Sequence, residues 1–163
     1  MAGLSQYVGM VRSPDWKPIL TGAVAGLEPG EQVSVIFGAM IPHEFFRGHV
    51  MTAELVPLLL IMDHVRWRYR TRAASRSAQI PLAPRMIIAV TGGRLVIWAA
   101  RRRWRPGNVV GDLARDRIIE VNYGGTGSRP DLLVLHLTDG ETLTLRVSAT
   151  QAAELARRLR QAA

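Results

Sequence analysis

Two segments of the chain interleave arginine with aromatic residues. The first is RWRYRTR at 66–72, with Arg76 close behind, and the second is RRRWR at 101–105. Guanidinium groups bind phosphates, while tryptophan and tyrosine lie at the headgroup level of membranes or stack on nucleic-acid bases. Ten residues are therefore candidates for binding an anionic surface or a partner: Arg66, Arg68, Arg70, Arg72, Arg76, Arg101, Arg102, Arg103, Trp104 and Arg105.

The positive charge is regional. The chain carries a net charge of +8 from 21 basic residues, of which only Lys17 is not an arginine. Eleven arginines lie between His64 and Arg105 with no acidic residue among them, whereas the other 10 basic residues are mixed with all 13 acidic ones. Such a region attracts phosphates, anionic lipid or an acidic partner surface. The alternative is that these arginines only form a solvated face.

No set of residues predicts a reaction centre. Cysteine is absent, so thiol catalysis and cysteine-based zinc sites are excluded. His43 and His49 are six residues apart, a spacing that does not place them on one helical face. The GGTG run at 124–127 lacks the lysine and the following helix of a phosphate-binding loop. The prediction is a protein that is not an enzyme and has no catalytic residues, metal site, cofactor or small-molecule substrate.

Short strands joined by turns, and a final helix, must position the basic segments. The strands are expected at 31–41, 86–91, 95–99, 109–113, 118–123, 132–137 and 142–147. Gly92-Gly93 predicts a two-residue turn with positive φ, and Asp139-Gly140 predicts a second hairpin. A capped helix at 148–162 follows, with one apolar stripe formed by Ala152, Leu155, Ala156 and Leu159.

The chain is predicted to be one domain over residues 1–163, with a strand-rich core at 80–147. Ser13-Pro14-Asp15 predicts the start of an N-terminal helix at about 13–26. The insertion at about 43–79 is ambiguous and partly helical. As a strand, residues 66–72 would place every arginine on one face, while a helix would spread the charge all round, a poorer arrangement. Residues 73–78 are expected to be a loop.

The apolar run at 50–62 is too short to span a bilayer and is interrupted by Glu54 and Pro57. It predicts a core helix or an interfacial segment. No secretory signal is recognised at the N-terminus. We therefore expect a cytoplasmic protein, with a peripheral position at the inner face of the membrane as an option.

The order of seven strands and a C-terminal helix resembles the bacterial pleckstrin-homology-like (PH-like) family and the related GRAM domains. AVTGGRLVIW at 89–98 is similar to their hairpin in which a threonine precedes the turn and Arg-Leu opens the next strand. LEPGE at 27–31 is similar to their entry to the first strand. Residues 112–121, and 139–140 through the last helix, follow the same plan. The resemblance covers residues 27–41 and 85–160.

The resemblance implies an α+β, mainly β fold: a seven-stranded, bent antiparallel sandwich or barrel capped by the C-terminal helix. It also implies a non-catalytic binding module for phosphoinositides, anionic membranes, peptides or partner subunits, often self-associating. Lipid-binding members place basic residues late in the first strand and on the second, but residues 35–41 and 86–90 have none. A specific inositol-phosphate pocket is therefore not expected.

The leading functional hypothesis is a module whose arginine-rich face recognises an anionic membrane surface or a partner protein. The first alternative is a nucleic-acid-binding domain, since the same arginines would contact phosphates. The second is a structural or assembly subunit of a homo-oligomer in which the apolar run at 50–62 is buried.

Overall fold

The computed structural model describes residues 26–43, 56–125 and 129–161. These residues form seven strands and two α-helices. In chain order the elements are β1 (Val33–Met40), α1 (Val56–Ala78), β2 (Arg85–Thr91), β3 (Arg94–Ala100), β4 (Pro106–Ala114), β5 (Ile118–Gly125), β6 (Arg129–Leu137), β7 (Thr142–Arg146) and α2 (Ala149–Gln161).

The fold is α+β and mainly β, and the predicted strands, C-terminal helix and partly helical insertion are confirmed. The predicted N-terminal helix at 13–26 and residues 44–55 of the insertion lie outside the described residues.

The strands form one open antiparallel sheet in the order β4-β3-β2-β1-β7-β6-β5. β1 pairs with β2 along its length but meets β7 only where Met40 lies opposite Arg146. The sheet therefore has two halves, β1–β4 and β5–β7, joined through a single residue pair. β4 and β5 are its two edges.

The main core is formed by residues of both halves of the sheet and of α2. Alternate residues of β2 (Met86, Ile88 and Val90) face it, together with the buried face of β6 and β7. The stripe predicted for α2 is buried in the same core: Ala152, Leu155, Ala156 and Leu159. Burial of this one stripe explains why the charged residues of α2 lie elsewhere on its circumference.

A second apolar cluster lies on the opposite face of the β1–β4 half. Ile87 and Ala89 of β2 contribute to it, with Val96, Trp98 and Trp104. Because β2 is buried on both faces, its sequence is an unbroken apolar run instead of an alternating one.

Residues 66–72 and 73–78 are helical, so the strand favoured for 66–72 and the loop expected for 73–78 are both wrong. The structure places both in α1, a continuous helix whose proline, Pro57, lies in its first turn. Arginine is a good helix former, and Trp67, Thr71, Ala74 and Ala78 recur at the spacing of one helical face. That face packs on the body of the protein. The alternation of arginine with other residues in 66–72 has no structural counterpart.

The turn between β2 and β3 closes differently from the prediction. Neither Gly92 nor Gly93 has a positive φ. Instead the Arg94 amide donates to the Thr91 hydroxyl oxygen at 3.2 Å. A threonine side chain thus replaces the backbone acceptor that a two-residue turn would have used.

Candidate anion-binding surface

One face of α1 is fixed to the sheet at the point where β1 ends. Trp67 Nε1 donates to the Ile41 carbonyl oxygen at 3.1 Å, directly after β1. The Trp67 ring also stacks on the ring of buried His43, with centroids 5.7 Å apart and planes 12° apart. Burial lowers the pKa of His43, and the nearby carboxylate of Asp63 opposes that shift. Trp67 is therefore part of the attachment of α1 and is partly buried against the protein.

The predicted arginines of α1 lie on the remaining faces and are exposed. Within the described part of the chain, their side chains make no hydrogen bond or ion pair. They are Arg66, Arg68, Arg70, Arg72 and Arg76. Tyr69, between two of them, is 73 % exposed. The arrangement is a helix surface of unpaired guanidinium groups with one exposed aromatic ring.

The second segment is a tight turn between β3 and β4, with a 3-10 turn at Arg102–Trp104. The Arg101 amide donates to the Arg105 carbonyl at 2.8 Å, and the Trp104 amide donates to the Arg101 carbonyl at 3.1 Å. The side chains of Arg101, Arg102 and Arg105 are exposed and, among the described residues, make no hydrogen bond or ion pair. The side chain of Arg103 is outside the described part.

Trp104 is not at the surface, which corrects its prediction as an interfacial aromatic residue. Its side chain is only 5 % exposed and belongs to the second apolar cluster. The ring lies against Gly38 of β1, where an added Cβ would be 3.1 Å from a ring carbon. The Arg85 guanidinium lies 6.0 Å from the ring centroid. The buried Trp104 side chain therefore holds the basic turn against the β1–β4 half of the sheet.

The arginines outside the two segments are used by the fold. In the described residues, five pair with carboxylates: Arg94 with Glu31, Arg117 with Asp139, Arg146 with Asp131, and Arg157 and Arg158 with Glu154. Two more donate to carbonyl oxygens, Arg115 to Leu159 and Arg160 to Val121. Among the described arginines, the exposed ones without a bonding partner thus fall in the two segments that the sequence singles out, and Arg85, which is partly buried, lies over the Trp104 ring.

The structure brings the two segments to the same end of neighbouring strands. β1 ends at Met40, opposite Arg85 at the start of β2. β3 runs antiparallel to β2 and ends on this same side of the sheet, directly before the turn at 101–105. Trp67 holds α1 to Ile41 at the end of β1. Since adjacent strands are about 4.8 Å apart, roughly 10 Å separates the ends of β1 and β3.

Glu31 and Arg94 form a partly buried ion pair next to the β2–β3 turn. Arg94 Nε donates to Glu31 Oε1 at 3.0 Å, and Arg94 Nη2 donates to Glu31 Oε2 at 2.9 Å. The Thr91 hydroxyl also donates to Oε1, at 2.7 Å. These bonds, the Arg94 bonds above all, lower the pKa of Glu31 from 4.5 to about 2. A residue pair 63 positions apart in the chain, which the sequence could not pair, thus ties β1 to the hairpin.

Glu31→Gln is expected to lower the free energy of unfolding by an amount that depends on pH. Because the folded state keeps the Glu31 carboxylate ionised below its usual pKa, this carboxylate stabilises the fold fully above about pH 4.5, and its stabilisation is lost as the pH falls toward 2. We expect the variant to unfold about 2 kcal/mol more easily than the parent at pH 7 and about equally at pH 2. Urea unfolding at several pH values measures this. Glu120→Gln, at an exposed position on β5, is the control; a constant gap between Glu31→Gln and the parent at all pH values would contradict the interpretation.

Among the described residues, no group of three or more histidine, aspartate or glutamate side chains is arranged to hold a metal ion. Neither helix in the described residues combines the length and apolar character needed to cross a membrane. Comparison with protein-family models and with curated protein sequences gives no match to this chain.

Proposed function

We propose that this chain is a PH-like, non-catalytic module that docks on anionic membrane surfaces through the free arginines of α1 and of the 101–105 turn. The strand order with β1 beside β7, and the packing of α2 on β5 and β6, support the fold part of the proposal. In a bent sandwich the two halves of the sheet face each other across the main core. The stripe of α2 then fills the open corner.

The separation of free from engaged arginines is the observation that carries the function. Eight exposed guanidinium groups in two segments have no carboxylate partner in the described structure, while seven of the described arginines elsewhere have one or donate to a carbonyl and Arg85 lies over the Trp104 ring. A guanidinium group binds phosphate oxygens in a bidentate geometry. Near an anionic leaflet each basic side chain contributes on the order of 1 kcal/mol. The surface thus has the charge that phospholipid headgroups attract.

The positions of the aromatic residues favour a membrane over nucleic acid. Binding of single strands relies on exposed aromatic rings on which bases stack, but Trp67 and Trp104 both face the protein. Tyr69 is the exposed aromatic side chain of the two segments. One tyrosine among arginines suits the headgroup level of a bilayer, where its ring is partly apolar and partly hydrated.

The proposed ligand is an anionic surface and not one particular headgroup. A selective inositol-phosphate site would need basic side chains on β2, but residues 86–90 are apolar and buried on both faces of the sheet. The free arginines lie on a helix surface and on a turn, which favours binding to many headgroups at once.

Sedimentation with vesicles tests the proposal. The protein is mixed with vesicles of phosphatidylcholine alone, or with one third of the lipid replaced by phosphatidylglycerol. We expect binding to the anionic vesicles only, with a loss of more than about tenfold in affinity as salt rises from about 0.1 M to about 1 M, because screening shortens from about 10 Å to about 3 Å. Equal binding to both vesicles, binding to neither, or tighter binding to duplex DNA at equal phosphate concentration would contradict it.

A further inference from the structure

The first turns of α1 expose an unusual amount of apolar surface. Five large apolar side chains are exposed there within the first ten residues of the helix: Leu58, Leu60, Ile61, Met62 and Val65. Contiguous exposed apolar surface of this kind marks a site of interaction with a protein or a membrane.

One side of these turns is covered, since Asp63 is buried and Leu59 is half-buried, and the other sides are exposed. Leu60 lies on the same helical face as Trp67 and Thr71, which are seven and eleven residues further on. That face packs on the protein at Trp67 and Thr71, yet Leu60 is 61 % exposed. Since Ile61 and Val65 are exposed on the other side of the helix, the tip presents apolar side chains on several sides, interrupted by the exposed His64 and by the covered side at Asp63.

The polarity of α1 changes along its axis and not around it. Val65 is the last of the exposed apolar residues, and Arg66 begins the run of exposed arginines. The one carboxylate of α1, Asp63, is buried. Solvent therefore meets an apolar tip and then an arginine collar, with Tyr69 inside the collar.

We propose that the tip of α1, residues 58–65, inserts into the hydrocarbon of one leaflet while the arginine collar remains at the phosphates. This inference rests on the proposed function and adds a mode of binding to it. The ten residues from Val56 to Val65 span about 15 Å at about 1.5 Å per residue. One leaflet of the hydrocarbon core is about 15 Å thick, so the tip fits within it and the collar begins at its boundary.

The shape and charge of α1 favour lipid over a second copy of the chain. A partner helix covers one stripe of a helix, whereas acyl chains can cover every exposed side of the tip, including the separate sides of Leu60 and Ile61. Two copies joined side by side in parallel at their tips would also bring their arginine collars together, and like charges repel. Anionic headgroups neutralise the same collars.

A single fluorescent label measures insertion directly. The chain has no cysteine, so Leu60→Cys provides one site for the environment-sensitive dye NBD. Ile119→Cys is the matched control, because Ile119 is apolar and 68 % exposed on β5. With the vesicles containing one third phosphatidylglycerol, we expect the Leu60→Cys label to brighten several-fold, to shift to the blue and to be quenched by lipids carrying a nitroxide on the acyl chain. The Ile119→Cys label should not change.

The outcomes separate the insertion from the proposed function. Sedimentation of both labelled proteins with the anionic vesicles, without any change at position 60, would overturn insertion and leave surface binding intact. Failure of both to sediment would overturn the proposed function and the insertion with it. Brightening at position 60 with protein concentration, in the absence of lipid, would overturn insertion in favour of self-association through the tip.

Discussion

A variant with four exposed arginines of α1 changed to glutamine is expected to bind anionic vesicles about 1000-fold more weakly than the parent. The changes are Arg66→Gln, Arg68→Gln, Arg70→Gln and Arg72→Gln. Each arginine contributes on the order of 1 kcal/mol near an anionic leaflet, and each 1.4 kcal/mol corresponds to a factor of ten. Glutamine keeps the helix propensity and adds no buried group, so the fold should be retained. Titration with vesicles gives the affinity, and circular dichroism checks the helix content.

Two double variants separate a local effect from the loss of net charge. Arg66→Gln with Arg68→Gln, and Arg157→Gln with Arg158→Gln, each lower the net charge by two. The α2 pair is already neutralised in part by Glu154. We expect the α1 pair to lose about 30-fold in affinity and the α2 pair to lose less than about threefold. Equal losses would mean that overall charge, and not the α1 surface, governs binding.

The strands and α2 were predictable because local patterns and burial agree there. In β7, Leu143 and Leu145 alternate with threonines, and the structure buries both leucines in the main core. In α2 the stripe at helical spacing is the stripe that is buried. Where one face of an element meets the core, the period of its apolar residues reports that element directly.

The helical conformation of residues 66–78 in α1 was not predicted because two patterns compete there. The arginines at every second position from 66 to 72 indicate a strand, but they are all exposed and bind nothing in the described residues, so their spacing carries no structural information. The contacts that decide the conformation come from Trp67, Thr71 and Ala78, two of which are small or polar. A stripe of such residues is hard to recognise against a stronger charge pattern.

The positive charge of the candidate site could be predicted from the sequence, but the buried contact of Trp104 that holds its turn in place could not. Exposure of the free arginines follows from the absence of acidic partners nearby in sequence. The inward direction of Trp104 depends on a backbone with φ of +55° at that residue and on the space left by Gly38 in a distant strand. Neither can be read from the sequence RRRWR.

Trp104→Ala is expected to destabilise the protein by about 3 to 5 kcal/mol. The ring is buried against Gly38, beneath the Arg85 guanidinium, so its removal leaves a cavity as well as losing apolar contact. We also expect the turn at 101–105 to lose its order, because Trp104 is its buried side chain. Denaturant unfolding measures the stability, and protease cleavage in the turn measures its order.

Two further substitutions at position 104 distinguish the role of the ring from that of the backbone. A left-handed φ costs a non-glycine residue about 1 to 2 kcal/mol, and Trp104 has φ of +55°. Trp104→Gly should therefore be more stable than Trp104→Ala by about 1 kcal/mol, the reverse of their usual order in regular structure. Trp104→Phe should retain most of the packing and lie closest to the parent. If alanine were instead equal to phenylalanine, the ring would not hold the turn, and the basic segment would have to be positioned by its backbone hydrogen bonds alone.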